Sequence, residues 1–229
     1  MKIYVVGSSK NKFLPLDNIR EKFLIDQPHE GDNIDFLNPW YCELTGLYYL
    51  WKHVDDDIVG LEHYRRYFVN DKGELLSEGE IQELLKEHDV ILYKFQSKER
   101  NYVLKWNTKR GRMKDFNKIF QIIKTFYGEE CYNSMKHAFE TEDYAYEGNM
   151  FIGKKNVMDE YFEFIFTVLD AFMKGQKHFN LKTELRICGY LAEYMFGPWC
   201  EYKKLKIKEN ERLMYDKDLT YFKHGRLDI

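Results

Sequence analysis

Residues 58–68 read IVGLEHYRRYF and join a short apolar run to a dense group of charged and aromatic side chains. The apolar half has the composition of a buried strand. A strand in a soluble core has no need of His63, Tyr64, Arg65 and Arg66 at its end. The stretch therefore predicts either a solvated strand edge or a site that binds an anion, and the pattern alone favours neither.

The segments around this strand alternate between the two main types of secondary structure. Strands are predicted at residues 2–6, 58–68, 90–93, 146–155 and 204–207. Helices are predicted at residues 38–53, 77–89, 113–127, 131–139, 157–174 and 181–196, and an irregular aromatic loop at residues 96–112. This alternation favours an α/β sheet with helices on its faces, in one domain over residues 1–229. Ligands of such folds bind at the carboxyl ends of the strands, where residues 63–66 would lie.

The composition limits the classes of function. Hydrophobic residues make up 44% of the 229 residues, which is ample for a core, and the net charge of −3 gives no basic field that would favour nucleic acid. The four cysteines have no CxxC spacing, so we expect free thiols in a reducing cytoplasm. No apolar run approaches the roughly 18 residues that cross a bilayer. We expect a cytoplasmic protein with at most peripheral contact to the inner face of the membrane.

Neighbouring side chains of an extended strand point to opposite faces. If residues 58–68 stay extended, His63 and Arg65 share one face, and Tyr64 and Arg66 share the other. Arginine suits phosphate because its planar fork donates two parallel hydrogen bonds. We therefore expect Arg65 to face an anionic ligand and Arg66 to pair with a carboxylate.

Other polar groups offer weaker signals. Glu147 and Asn149 precede an apolar strand, where they would bind a substrate or simply cap a turn. Arg186 and Glu193 are seven positions apart on a predicted helix, so they either line a common cleft or form a buried ion pair. The three aspartates at 55–57 resemble a metal-binding DxD motif, but they precede a strand instead of following one. A helix-to-strand turn explains them better. No phosphate-binding P-loop and no dinucleotide-binding glycine motif occurs.

Four blocks of the sequence together resemble a known family. They are YCELTGLYYLWKH, IVGLEHYRRYF, GNMFIGKK with YFEFIFTVL, and RICGYLAEYMFGPW. They look like the DUF4422 family, whose members occur in bacterial capsule, exopolysaccharide and lipopolysaccharide gene clusters. These members are taken to be glycosyltransferases, some of which transfer galactose or galactofuranose from a UDP-sugar. The resemblance covers residues 2–215, and the HYRRYF block is its most specific part.

The resemblance implies a GT-A-like fold, with a central mixed, mainly parallel sheet flanked by helices and a helical C-terminal part. It also implies a set of donor-binding residues at the matching positions. They are Lys10, Glu43, Thr45, His63, Tyr64, Arg65, Arg66, Asn149 and Arg186. Three positions depart from the family pattern: Ser9 stands where a histidine usually precedes the lysine, Glu62 stands where cysteine is common, and Glu184 is the nearest residue to the glutamine usual near Arg186. These differences are expected to bear on the choice of donor or acceptor.

A glycosyltransferase must stabilise the negative charge of the leaving diphosphate. In many glycosyltransferases a metal ion held by a DxD motif stabilises this charge. Mn²⁺ or Mg²⁺ could bind here, but no DxD motif in the right place supports it. We expect His63 and the two arginines after it, with Lys10, to replace the metal wholly or in part. Glu147 and Glu193 are the candidates for the catalytic base. Trp106, in the aromatic loop, is expected to stack on an acceptor sugar.

The resulting hypothesis is a hexosyltransferase of bacterial surface polysaccharide synthesis. It would move a galactose- or galactofuranose-type hexose from a UDP-sugar to a glycan or a lipid-linked acceptor. The alternative is a non-catalytic scaffold of the same pathway that binds nucleotide-sugars or glycans. The near-neutral charge counts against a third interpretation, nucleic-acid binding. The basic stretch at residues 201–213 favours a solvated surface over contact with anionic lipid.

Overall fold

A computed structural model describes residues 1–175, 184–215 and 221–222. Its strands are β1 (Lys2–Gly7), β2 (Arg20–Leu24), β3 (Ile58–His63), β4 (Arg66–Phe68), β5 (Val90–Leu92), β6 (Lys94–Gln96), β7 (Tyr144–Tyr146), β8 (Phe151–Lys154), β9 (Ile207–Glu209), β10 (Arg212–Tyr215) and β11 (Tyr221–Phe222). Its α-helices are α1 (Asn38–Tyr41), α2 (Leu44–His53), α3 (Glu78–Glu87), α4 (Tyr102–Lys109), α5 (Met113–Thr141), α6 (Lys155–Gly175) and α7 (Ile187–Tyr202).

Nine strands form one mixed sheet, and β6 and β7 form a separate pair. In the large sheet β2, β1 and β3 run parallel, β8 is antiparallel to both β3 and β5, and β9 runs parallel to β5. β4 and β10 extend the other end through antiparallel pairs. Six of the nine strands (β1, β2, β3, β5, β9 and β10) thus point the same way. The predicted α/β fold, with a mixed and mainly parallel sheet flanked by helices, is confirmed.

Helices cover both faces of this sheet because its central strands are apolar on both. Tyr4 and Val6 of β1 pack into a large core with α2, α5, α6 and α7. The alternate residue Ile3 packs on the other face with Ile81 and Leu85 of α3. Helix α3 begins as its sequence predicts, since Ser77 and Glu80 form a reciprocal capping box. Strands buried on both faces in this way place their polar residues at the ends, where loops meet.

The prediction of one continuous strand over residues 58–68 is wrong. The chain turns at Tyr64 and Arg65, and β3 and β4 form a tight antiparallel hairpin in which His63 pairs with Arg66. Directly paired residues lie on the same face of a sheet. His63 therefore shares its face with Arg66, and the predicted alternation of the four side chains does not hold.

A buried ion pair lies beneath this hairpin. Arg20 donates from Nε to Glu62 Oε2 at 2.7 Å, and both side chains are fully buried. The other carboxylate oxygen accepts the backbone N–H of Phe68 at 2.9 Å. Glu62 thus fixes the return strand of the hairpin and lies away from any cavity. The expectation that Glu62 bears on the choice of donor or acceptor is not supported by this position.

Several predicted boundaries change in the structure. The segment predicted as an irregular loop at 96–112 contains helix α4, and strand β2 was not predicted. The two helices predicted at 113–127 and 131–139 form one helix, α5, broken at Gly128 with φ of 85°. The last predicted helix begins at Ile187 and not at 181, and its first three predicted residues, 181–183, lie outside the described residues. No helix in the described ranges is both long and apolar enough to cross a membrane.

Candidate functional site

Two adjoining cavities open where the carboxyl end of β3 and the turn into β4 meet helix α7. Cavity A has a volume of about 400 Å³, and cavity B has a volume of about 280 Å³. Arg65, Arg66, Tyr190 and Glu193 line both cavities, which therefore form one cleft. Seven predicted site residues line cavity A: Glu43, His63, Tyr64, Arg65, Arg66, Arg186 and Glu193. The structure thus brings these predicted residues together in one cleft.

The floor of the cleft is the short turn Glu147–Asn149. Its Gly148 has φ of 89°, a conformation that glycine adopts without strain. The Gly148 N–H donates to Glu193 Oε1 at 2.7 Å, and its carbonyl oxygen accepts from His63 Nε2 at 2.5 Å. A side chain at this position would also meet Arg66 Nη1 at 3.2 Å. Strand β3 and helix α7 therefore hold the turn from two sides.

His63 is neutral in this environment. Burial lowers its pKa to about 3, and the nearby Arg66 guanidinium lowers it further. Since its Nε2 contacts a carbonyl oxygen, that nitrogen carries the proton of the neutral ring. His63 cannot supply positive charge to a diphosphate, so the expectation that it acts as a catalytic cation is corrected. It positions the Gly148 turn instead.

The two arginines of the hairpin both face the cleft. Arg66 makes no ion pair with any described carboxylate, and its buried Nε has no hydrogen-bond partner. The expectation that Arg66 turns away to pair with a carboxylate is therefore wrong. Arg65 is half-buried, and its guanidinium carbon lies 5.7 Å from the centre of the Tyr64 ring. The cleft thus contains two adjacent cationic groups.

Two predicted donor-binding residues lie outside the cleft. Thr45 is buried at the start of α2, and its hydroxyl donates to the carbonyl oxygen of Cys42 at 2.8 Å. Lys10 is exposed in the turn after β1, near Asp26, and lines neither cavity. Thr45 therefore stabilises a helix start, and Lys10 is not placed to replace a metal in the cleft.

Asn149 lies behind the cavity wall. Its Nδ2 donates to Glu43 Oε1 at 2.7 Å and to the Gly189 carbonyl oxygen at 3.1 Å. Asn149 is buried and lines neither cavity, which corrects the expectation of direct sugar contact. Glu43 itself lines cavity A. Asn149 positions the Glu43 carboxylate at the cavity surface.

The two candidate bases differ in their surroundings. Glu147 accepts from Arg212 Nη2 at 3.4 Å and from the Tyr102 hydroxyl at 3.5 Å. Glu193 lines both cavities, and burial, followed by repulsion from Glu147 and Glu43, raises its pKa to about 7. A carboxyl with a pKa near neutrality in a cleft has the property required of a general base. The geometry therefore ranks Glu193 above Glu147.

The comparison with protein families places this cleft in context. The model of DUF4422, a domain of unknown function, matches residues 2–204. The chain belongs to the DUF4422 family. No curated protein matches its sequence. Among solved structures, the apo form of WbbM, a bifunctional glycosyltransferase, matches with a TM-score of 0.75 and 25% identity. The match covers 100% of the DUF4422 chain and 47% of WbbM, so this chain spans about half the length of that protein.

The fold and the family therefore relate this DUF4422 chain to a glycosyltransferase. The aspartates at 55–57 lie between α2 and β3, away from the cleft, and Asp56 pairs with the amino group of Met1. The helix-to-strand turn predicted for them is confirmed. Among the described residues, no three His, Cys, Asp or Glu side chains come together in a way that would hold a metal ion.

Three residues of the DUF4422 cleft were missed by sequence reasoning. Arg112 precedes α5, Tyr190 lies on α7, and Arg212 lies on β10, which pairs with β4. Arg212 is nine-tenths buried, although it belongs to the basic stretch 201–213 that was expected to be a solvated surface. Its short strand, Arg-Leu-Met-Tyr, has no alternation of polar and apolar residues that would have indicated a buried arginine.

Proposed function

We propose that this DUF4422 chain is a nucleotide-sugar-dependent glycosyltransferase. The observation that carries the proposal is the convergence of Arg65, Arg66 and a carboxyl with a pKa near 7, Glu193, on one cleft at the strand ends. Glycosyl transfer needs both a cation for the leaving diphosphate and a base for the attacking hydroxyl. The likeness to WbbM supports the same class of reaction. We propose that residues 1–229 form a single domain of this type.

The donor in this proposal is a UDP-sugar that carries a galactose- or galactofuranose-type hexose. Its diphosphate lies against Arg65 and Arg66, which provide charge-assisted hydrogen bonds that strengthen as the glycosidic bond breaks. Arg186 and the Glu43 carboxylate, which line the far wall of cavity A, bind the hydroxyl groups of the sugar. The arginines take the part that a divalent cation plays in many related reactions.

The acceptor hydroxyl attacks the anomeric carbon of the donor. Glu193 accepts the hydroxyl proton, the new glycosidic bond forms, and the bond between that carbon and the diphosphate breaks. The electron pair of the broken bond leaves with UDP. Attack from the side opposite to the leaving group inverts the configuration at the anomeric carbon. The acceptor is a glycan or a lipid-linked glycan of a bacterial surface polysaccharide, used at the cytoplasmic side of the membrane.

Donor binding is the first test of the proposal. Purified protein is expected to bind UDP with micromolar to millimolar affinity in calorimetry, in the presence of EDTA. Because Arg65→Ala removes charge-assisted hydrogen bonds, the Kd should rise about tenfold or more. Arg100→Ala, an exposed arginine outside both cavities, is the matched control. Equal UDP affinity in Arg65→Ala would contradict the diphosphate site, and strict dependence on added metal would contradict the role of the arginines.

Trp106 marks the acceptor side of the cleft. It lies on helix α4, not in a loop, and it lines both cavity B and a wider groove of about 840 Å³ along that helix. Tyr102 lines this groove as well. Aromatic rings next to open, partly polar grooves suit the apolar faces of sugars. We infer that the acceptor glycan leaves the cleft along α4.

Replacing Trp106 by alanine tests this path. The KM for the acceptor should rise about fivefold or more, because a stacked ring contributes roughly 1 kcal/mol beyond its buried area. The KM for the UDP-sugar should stay unchanged. Initial rates with each substrate varied in turn provide the measurement. A change in the donor KM alone would place Trp106 on the donor side. Sugar binding without any turnover of the donor would support a non-catalytic scaffold instead.

A further inference from the structure

Cavity B carries more positive charge than a single diphosphate requires. Five arginines line it, Arg65, Arg66, Arg110, Arg112 and Arg212, against two glutamates, Glu147 and Glu193. Arg65 and Arg66 also face cavity A, where the donor diphosphate is proposed to lie. The other three arginines line only cavity B. Like charges that converge in a partly closed space repel one another unless an anion lies between them.

Two of these three arginines have buried N–H groups without an acceptor. The Arg112 side chain is 10% exposed and the Arg212 side chain is 5% exposed, so both are at least nine-tenths buried. Arg112 Nε and Arg212 Nη1 have no hydrogen-bond partner. Buried donors of charged groups are normally satisfied, because leaving them without a partner is unfavourable. An anion in cavity B would provide the missing acceptors.

Other contacts fix the planes of these guanidinium groups. Arg112 lies 3.7 Å from the centre of the Tyr190 ring, and one of its nitrogens is 3.5 Å from Glu184. Arg212 lies 3.8 Å from the centre of the Tyr93 ring and is paired with Glu147. The guanidinium carbon of Arg110 lies 4.4 Å from the centre of the Trp106 ring. The arginines are thus positioned before any ligand binds, which lowers the entropy cost of binding.

We propose that cavity B is a second anion subsite, which binds a phosphoryl group carried by the acceptor. The proposal rests on the glycosyltransferase function given above. A phosphoryl group offers at least three oxygens to three guanidinium groups, whereas a carboxylate offers two, so phosphate matches this cavity better. A phosphoryl group near Trp106 would lie between the acceptor groove along α4 and the base Glu193. The acceptor is accordingly a phosphate-linked sugar or a short glycan attached to a phosphate.

The test separates the two subsites with inorganic pyrophosphate as the probe. The protein is first saturated with UDP, and pyrophosphate is then titrated by calorimetry in EDTA. One equivalent should bind while UDP stays bound. Arg112→Gln should weaken pyrophosphate binding about tenfold, and the exposed Arg110→Gln about threefold, with the UDP Kd unchanged in both. Arg100→Gln, outside both cavities, should change neither affinity. Arg110→Gln keeps the test valid if Arg112→Gln fails to fold.

Three outcomes decide the proposal. Competition between pyrophosphate and UDP for one site would overturn it and leave the glycosyltransferase function standing. Absence of UDP binding would overturn the proposed function itself, whatever pyrophosphate does. Binding to both subsites, with loss only in the two cavity B variants, supports the proposal. Farnesyl diphosphate then distinguishes the source of the phosphate: tighter binding than pyrophosphate supports a lipid-linked acceptor, and equal binding supports a water-soluble glycosyl phosphate.

Discussion

Glu193→Gln is expected to lower the kcat of sugar transfer about a hundredfold or more, since general-base catalysis contributes roughly 10²- to 10⁴-fold. Glutamine keeps an oxygen that can accept the Gly148 N–H, so the turn beneath the cleft should remain in place. The Kd for UDP should therefore change by less than about threefold. Calorimetry with UDP and initial rates of transfer, measured on the same preparation, separate the loss of chemistry from a loss of binding.

The pH dependence of the reaction gives an independent check on Glu193. Its pKa is raised to about 7, so the carboxyl is protonated and inactive as a base below that pH. The wild-type rate should accordingly fall as the pH drops through about 7, and the residual rate of Glu193→Gln should lack this limb. Glu147→Gln is the matched comparison, because Glu147 lines the same cavity but pairs with Arg212. A larger loss of kcat in Glu147→Gln would transfer the role of base to Glu147.

Arg20→Met is expected to destabilise the fold by about 3–5 kcal/mol, because it leaves the Glu62 carboxylate buried without its partner. In a chain of this size the melting temperature should fall by roughly 10 °C. Urea unfolding followed by circular dichroism measures the free energy of unfolding. Lys2→Met is the control, since Lys2 and Glu21 form an exposed ion pair worth about 1 kcal/mol at most.

The double variant Arg20→Met/Glu62→Leu tests why Arg20→Met loses stability. Replacing both charges removes the uncompensated carboxylate, so most of the stability lost in Arg20→Met should return. The Phe68 N–H loses its acceptor in this variant, and recovery should therefore be incomplete. A double variant as unstable as the single one would mean that packing around Arg20, and not its charge, supports the hairpin.

The sequence predicted the central strands and most helices because their apolar periodicity is strong. It failed at the β3–β4 hairpin, where the turn residues Tyr64 and Arg65 have none of the glycine, proline or asparagine that marks a tight turn. The turn there depends on buried Glu62, which accepts the Phe68 N–H and is paired with Arg20, 42 positions earlier in the chain. Local patterns contain no information about such a contact. The sequence therefore did not predict that His63 and Arg66 lie on the same face of the sheet.

In the candidate site too, some features could be predicted from local sequence and others depend on contacts between distant residues. Glu43, Arg65, Arg66, Arg186 and Glu193 were all predicted and lie in the cleft. Asn149 was expected to contact the ligand, but it lies behind the cavity wall, where its hydrogen bonds hold Glu43. A polar residue beside a cavity and one facing it have the same appearance in a sequence, since the difference is only one of side-chain direction. Arg212 was missed because it reaches the cleft from 146 positions beyond Arg66.

The pairing of β10 with β4 brings Arg212 to the cleft, so the complete cleft can form only after β10 has been synthesised. The cleft collects residues that lie far apart in the sequence, from Glu43 to Arg212, so its assembly requires contacts of long sequence separation that form slowly. During synthesis, a nascent chain that ends before residue 212 can form β1 and β3 but lacks one of the five arginines that line cavity B. The proposed binding of phosphate therefore becomes complete only after residue 212 has been synthesised.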